Sequence, residues 1–458
     1  MSQTALRKRG NTYPSASSLA QPANDPAPEA SDSAPRRISL ADRLRESRAL
    51  SLQLAAPLSD EDQTVQVMDD ASPTKWHLAH TTWFYEAFVL RPHLTGYGPF
   101  SDAFDYCFNS YYETAGERHP RARRGHLTRP AAAEVRAYRA HINAGLDKLL
   151  ASEASRSPEV AGLIELGINH EQQHQELLLM DILALFAANP LHPAYRTHTD
   201  SNRARKPAGN GQANWVSHDG GIVEIGAQGD GFHYDNEGPR HTALVQPFKL
   251  ADRCVTNREW IEFIADGGYR DPLLWLADGW ATVKREGWEA PGYWENVDGE
   301  WKQMTLDGLT PVEPRAPVCH VSYYEADAFA RWCGKRLATE FEWEAAASAG
   351  RLCGTMNTLG SGALRPLPAG GEAIGDGLRQ MQGDVWEWTA SAYLPYPGYR
   401  PPAGAVGEYN GKFMVSQHVL RGASFATPDG HSRTTYRNFF YPHQRWQFAG
   451  LRLAEDNQ

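Results

Sequence analysis

Two histidines and two glutamates are compressed into HEQQHQE, where His170 and His174 stand four residues apart with Glu171, Gln173 and Glu176 among them. On a helix, residues at that spacing share one face with Cβ atoms ~5–6 Å apart, which suits joint chelation of one cation. Read literally, the string also satisfies the zinc-peptidase pattern H-E-x-x-H. Several first-row metals accept such a pair, so the pair alone does not select the chemistry. A peptidase needs a third ligand, and the continuation HQELLLMDI supplies no further histidine. Asp181, seven residues past His174, falls near the same face and offers little reach to an open coordination position. A third histidine from another helix is the better source, and KWHLAHTTWFYE carries two, His77 and His80. Both cannot point fully inward, so one is expected beside the site or at the surface. Three neutral imidazoles without a thiolate suit iron(II), zinc or copper and leave positions open for substrate and oxygen.

The elements that must hold these residues read as helices. SLADRLRESRALSLQLAAPL repeats leucine at helical spacing, with Ser39 or Asp42 available to cap it. SPTKWHLAHTTWFYEAFVL opens on Ser72-Pro73, a helix-start signal. AAAEVRAYRAHINAGLDKLLA and the segment around HEQQHQE complete a set of four, joined partly by a long aromatic and basic loop, Tyr97 to Arg129. The set predicts a four-helix bundle, an architecture that builds metal sites from inward side chains on facing helices. We assign the bundle to 38–195. Residues 1–37, rich in Ala, Pro and Ser, read as a disordered tail, and 196–213 as a polar linker. From 214 to 458, short apolar runs alternate with Gly, Pro and Asn turns, broken by TNREWIEFIADGG and by one long helical stretch, SYYEADAFARWCGKRLATEFEWEAAASAG. This is a separate α+β domain.

A chain of 458 residues with 41% hydrophobic content suits two domains. The net charge of −10 argues against nucleic acid or an anionic membrane as partner. No apolar run approaches the ~20 residues needed to span a bilayer. The five scattered cysteines suit reduced thiols in a cytoplasm.

KRLATEFEWEAAA (Lys335 to Ala347) and GDVWEWTAS (Gly383 to Ser391), followed by VLRGASF and GLRLA, resemble the formylglycine-generating-enzyme or sulfatase-modifying fold, a C-type-lectin-like architecture. Trp343, Trp386 and Trp388 read as its core, and Glu340, Glu342 and Glu387 as buried hydrogen-bonders. Formylglycine chemistry in that fold relies on a cysteine pair in its C-terminal part. No cysteine follows Cys353, so that activity is not expected.

Taken in order, DASPTKWHLAHTTWFYE, FNSYYETAGERHPR, HEQQHQE, GEYNGKFM and TTYRNFFYP resemble the iron(II)-dependent sulfoxide synthases of ergothioneine biosynthesis, the hercynine oxygenases. Their architecture is a DinB-like four-helix bundle followed by a formylglycine-generating-enzyme-like domain. The resemblance implies an enzyme that uses Fe(II) and O2 to join a thiol to C2 of the imidazole of hercynine (trimethylhistidine), giving a sulfoxide. It implies His80, His170 and His174 as iron ligands, which makes His77 the less favoured histidine. It implies Gln173 as the hydrogen-bonding partner of the substrate imidazole, and Asn438 with Phe439 as the hold on the carboxylate and betaine end. Tyr111 or Tyr112 takes the role of the tyrosine that delivers a proton during sulfoxidation. An ordinary phenol, with a pKa of ~10, stays protonated at neutral pH and can still hand over its proton. Among Arg118, Arg121, Arg123 and Arg124, with Arg118 and Arg121 put first, one is expected to meet a substrate carboxylate. A quaternary ammonium is best held by aromatic faces, which Phe439, Phe440, Tyr441, Trp446 and Phe448 can supply.

Two departures bear on the donor. The branch that uses γ-glutamylcysteine carries Asp and Arg where this chain has Phe440 and Gln444. Free cysteine is thereby favoured, with hercynylcysteine sulfoxide as product. The selenoneine synthase relatives, which join a selenosugar to hercynine, are the alternative within the superfamily. The ovothiol type usually carries a further methyltransferase domain, for which a chain ending at Gln458 leaves no room. From other classes, a zinc metallopeptidase resting on HEQQH and a non-catalytic metal- or thiol-binding module are the competing readings.

Overall fold

Leucine and alanine at helical spacing form four long helices, Leu40–Ala55, Thr74–Tyr85, Ala132–Leu150 and Pro158–Ala188. The computed structural model describes residues 38–196, 212–229, 231–350, 352–353, 356–370 and 377–457. The tail assigned to 1–37 and most of the linker assigned to 196–213 lie outside the described residues. The first and second helices pack on the fourth, and the third packs on the second. The fourth helix opens with Pro158, whose missing N–H would have had no intrahelical partner at that position.

The Ser72-Pro73 signal marks a helix start, but Ser72 does not cap it. Pro73 is the N-cap, and the Ser72 hydroxyl accepts a hydrogen bond from Arg124 Nη1 at 2.9 Å instead. Past Tyr85 the second helix widens into a π turn, Glu86–Leu90, and ends in Arg91–His93. Buried Glu86 anchors that turn by accepting from Tyr97 Oη at 2.6 Å, from Phe100 N at 2.9 Å and from the Tyr138 hydroxyl. The stretch read as a long loop contains a helix, Ala103–Phe108, and two 3-10 turns, Glu113–Ala115 and Arg121–His126. Between them the Asn109 amide bridges Tyr112 N (3.2 Å), Tyr112 O (3.0 Å) and Gly116 O (3.1 Å), which fixes the turn carrying Tyr111 and Tyr112.

The second domain centres on a four-stranded sheet in the order Asn438–Phe440, His418–Gly422, Trp386–Ala392, Ala449–Leu451, the last pair parallel. A second sheet aligns Trp215–His218, Phe248–Ala251, Leu453–Asp456 and Arg336–Leu337. The stretch read as one long helix is two, Tyr323–Trp332 and Glu340–Ser348. Gly334 at φ +62° ends the first, and Thr339 with Glu342 forms a capping box that starts the second. Trp343, Trp386 and Trp388 are fully buried. Glu387 accepts from Arg452 (2.7 Å) and Trp343 (2.8 Å), while Glu340 accepts from Arg437 (2.8 Å) and Arg421 (3.0 Å), so these carboxylates are committed to the framework.

Glu176 carries the bundle into this domain. From the fourth helix its buried carboxylate accepts from Trp386 Nε1 at 2.8 Å, Ser424 Oγ at 2.6 Å and Thr427 Oγ1 at 2.7 Å.

Candidate active site

His80 on the second helix meets His170 and His174 on the fourth, with one ring nitrogen from each within 4.8 Å of the others. His80 Nδ1 donates to the Phe108 carbonyl at 2.6 Å, which fixes its tautomer and leaves the Nε2 lone pair facing His170 Nε2 at 3.1 Å. Trp76 stacks on the His80 ring at 4.7 Å and holds its plane. Burial pushes the His170 pKa down to about 3 and those of His80 and His174 well below the ordinary value, so all three present neutral nitrogen. A neutral all-imidazole set, with ring nitrogens converging and the buried Nδ1 of His170 left without a hydrogen bond among the described residues, fits a first-row divalent metal better than calcium or magnesium.

His77 is close but engaged at both ring nitrogens. Its Nδ1 lies 2.8 Å from His174 Nδ1 and its Nε2 lies 2.9 Å from Asp181 Oδ2. Glu171 is engaged too: it accepts from Arg139, from Arg48 at 3.2 Å and from Ser51 at 2.6 Å. A metallopeptidase needs that glutamate free beside the metal as general base. Here two arginines hold it, and the peptidase reading loses its base.

The opposite wall comes from the second domain. Gln173, one turn along the fourth helix, donates to Tyr436 Oη at 2.6 Å and accepts from the Tyr409 hydroxyl. The Tyr409 ring stands edge-on to His170 at 5.5 Å and parallel to Tyr234 at 5.4 Å. Tyr111 lies 5.9 Å from Tyr409 and 5.3 Å from Phe413, ring to ring, whereas Tyr112 packs into the bundle against Trp83 and Phe88. Tyr112 is fully buried, and its ring lies 4.7 Å from that of Tyr111. Burial raises the pKa of Tyr111, Tyr112 and Tyr409 alike, keeping all three phenols protonated. A clamp joins the two walls: Glu408 accepts from Glu113 N and Thr114 N, each at 3.0 Å, and from Thr114 Oγ1 at 2.6 Å, while Lys412 reaches the Tyr111 carbonyl.

Two family models divide the chain as the fold does. The DinB superfamily matches residues 43–178, and the sulfatase-modifying factor enzyme 1-like domain matches 201–366 and 369–457. The chain is 34% identical to the hercynine oxygenase of Mycolicibacterium thermoresistibile over 92% of its own length and 96% of that protein's. It is 33% identical to the Mycobacterium tuberculosis hercynine oxygenase, over 91% and 98%. The chain belongs to the hercynine oxygenase family. Among solved structures, PvdO from Pseudomonas aeruginosa matches at 22% identity and a TM-score of 0.37, over 56% of this chain and 100% of that one.

Within this hercynine oxygenase family member the remaining expected residues are scattered. Asn438 Oδ1 accepts from Phe439 N at 2.9 Å, and Phe439 stacks on Tyr393 at 4.1 Å and lies 6.0 Å from Phe413. Among the described residues neither makes a hydrogen bond or ring contact with the three histidines. Arg118 pairs with Glu113 at 2.9 Å, and Arg121 is exposed. Arg124 is the buried member of that run. Its guanidinium lies 3.4 Å over the Trp76 ring, donates to Ser72 Oγ and to Ser110 Oγ (3.0 Å), and has no carboxylate partner among the described residues. Of the C-terminal aromatics, Phe448 is core, Tyr441 is exposed, and Phe440 packs on Trp446, so the aromatic wall beside Gln173 is Tyr234, Tyr409 and Tyr436 instead. Tyr409 and Tyr436 sit inside GEYNGKFM and TTYRNFFYP, yet nothing in their spacing marks them as partners of a residue 236 and 263 positions away. Gln444 donates to Asp70 Oδ2 at 3.0 Å.

Proposed function

We propose that the protein is an iron(II)- and O2-dependent hercynine oxygenase that joins the sulfur of cysteine to C2 of the hercynine imidazole. The S–H of cysteine and the C2–H of hercynine are lost, the C–S bond forms, one oxygen atom of O2 ends on sulfur and the other leaves as water. The observation that carries this reading is the convergence of His80, His170 and His174 beneath Gln173, in a chain that matches hercynine oxygenases over nine-tenths of its length. His80, His170 and His174 would hold the metal. Iron(II), when bound there, supplies the activation and reduction of O2.

The chain's own residues do the rest. Gln173, steadied by Tyr409 and Tyr436, orients the substrate imidazole by hydrogen bonding. Asn438 and Phe439 take the carboxylate and trimethylammonium end, the ring offering a cation–π face. Tyr111 is the proton donor because its ring borders Tyr409, whereas Tyr112 is turned into the bundle core. Arg124, a buried cation lacking an anion, grips the donor's single carboxylate. The proposed setting is the cytoplasm, whose reduced thiol pool provides the donor.

The test is anaerobic loading with Fe(II), then O2 and hercynine with either cysteine or a selenosugar, read by oxygen uptake and product mass. Hercynylcysteine sulfoxide with cysteine is the expected result. Turnover with the selenosugar alone overturns the sulfur assignment. Full zinc occupancy with proteolysis and no oxygen uptake overturns the oxygenase.

A further inference from the structure

His77 stands outside the three-histidine group, yet its Nδ1 lies 2.8 Å from His174 Nδ1. Three N–H donors converge on the Asp181 carboxylate: Ser72 N at 2.8 Å, His77 Nε2 at 2.9 Å and Trp446 Nε1 at 3.1 Å. A carboxylate that takes these bonds is the acceptor in each, so the His77 proton sits on Nε2. With His77 as the neutral imidazole, its Nδ1 is the lone-pair nitrogen, and at 2.8 Å it accepts from His174 Nδ1–H. That assignment leaves His174 with its lone pair on Nε2, the nitrogen free to serve a metal. The tautomer of His174 is therefore written two side chains away.

We propose that Asp181 and His77 are positioning residues that orient His174 and fix its tautomer, and that the second domain steadies this line through Trp446. Trp446 belongs to the second domain, whereas Asp181, His77 and His174 belong to the bundle, so the line crosses from one domain to the other. Ser72 adds a second junction: its backbone N–H serves Asp181 and its hydroxyl serves Arg124, the cation assigned to the donor carboxylate. The inference rests on the reading that the three histidines hold a metal.

The experiment measures cobalt(II) affinity of the metal-free full chain by competition with a chelator, with the cobalt absorption spectrum as a second readout. H174A, a direct ligand change, should abolish the site. H77A and D181A should weaken binding by ~10–100-fold, the usual effect of losing a partner behind a metal-bound histidine. D181N keeps one oxygen for His77 but turns an amide NH2 toward the Trp446 N–H. It should fall between the parent and D181A, and adding W446F should recover affinity by removing that clash. A purely structural role would not produce this order, because W446F would then add to the damage. If H77A and D181A keep the parental circular dichroism and bind cobalt like the parent, the inference is overturned. If D181A does not fold, unchanged affinity in W446F together with no recovery in D181N/W446F overturns it equally. If H174A itself binds cobalt normally, the metal reading fails and not only this refinement.

Discussion

On the bundle side of the site, two of the three histidines are fixed by neighbours already in place: His80 by the Phe108 carbonyl and the Trp76 face, His174 by His77. On the other side, Gln173 depends on Tyr409 and Tyr436, which arrive from the second domain and are kept there by contacts such as Glu408 with Thr114. The three-histidine end is thus preorganised by packing within the bundle, and the second domain reaches it through Trp446 on Asp181 and the Tyr409 ring edge-on to His170. The substrate end exists only when the domains are docked. Loss of a bundle residue should therefore remove the chemistry, and loss of a second-domain residue should first loosen the substrate.

The largest expected effect tests the first half of that contrast. H170A should lose tight metal binding and depress oxygen consumption with hercynine by more than ~10³-fold, since the proposed ligand it removes would serve every step of the reaction. Metal content after dialysis and oxygen uptake measure the two losses together.

Next comes Tyr111, the proposed proton donor, which sits between the halves. Y111F should lower kcat by ~10²-fold, within the usual span for general acid catalysis, while leaving KM for hercynine near parental. Y112F should cost less, because the Tyr112 ring packs against Trp83 and Phe88. Burial raises the Tyr111 pKa above its ordinary value, so the folded protein retains the phenol proton where an unfolded chain has begun to lose it. The sign follows: the catalytic proton remains available through the ordinary tyrosine pKa of ~10, and kcat should show no alkaline limb from Tyr111 below that pH.

Arg124 sharpens the contrast on the donor. R124A should raise KM for cysteine by ~10–100-fold, corresponding to loss of one charged hydrogen-bonding partner, and leave KM for hercynine little changed. R121A, at an exposed position, should move either constant by less than about threefold. The reverse order would return the donor site to Arg121.

The same contrast explains what was legible in the amino-acid order. His170 and His174 stand out because joint chelation would require a spacing that the helix period repeats, and the four amphipathic segments follow from the same period. The second domain was recognisable from short motifs around Trp386 and Trp343, whose burial leaves little freedom for substitution. Contacts made across long chain separations leave no such period. Tyr409 and Tyr436 on Gln173, and Gln444 on Asp70, became visible only with the two domains together. The long helix read over 322–350 failed for a local reason, since Gly334 and the Thr339 capping box overrode a continuous helical pattern. Within the basic run, composition could not separate Arg124 from Arg118 and Arg121, because only the turn Arg121–His126 decides which of them faces inward.

The smallest effect should come from the clamp, and it discriminates the halves most cleanly. Burial pushes the Glu408 carboxyl up, but hydrogen bonds from Lys412, Thr114 and the Glu113 backbone outweigh it and hold the pKa at about 2. The folded value is depressed below the ordinary ~4.3, so the clamp's contribution is complete above that pH and is lost as pH falls toward 2. Across the neutral range the clamp stays closed, and no acid limb of activity should trace to it. E408Q keeps an oxygen for the Thr114 N–H and hydroxyl while losing the charge toward Lys412, so KM for hercynine should rise by less than about threefold. E408A removes all four hydrogen bonds and frees the segment bearing Tyr409, so a rise of ~10-fold is expected. Cobalt affinity should be parental in both variants, because no metal-binding side chain leans on the clamp. Should E408A weaken cobalt binding as much as H77A does, the two halves are one mechanical unit, and the metal end is no more preorganised than the wall it faces.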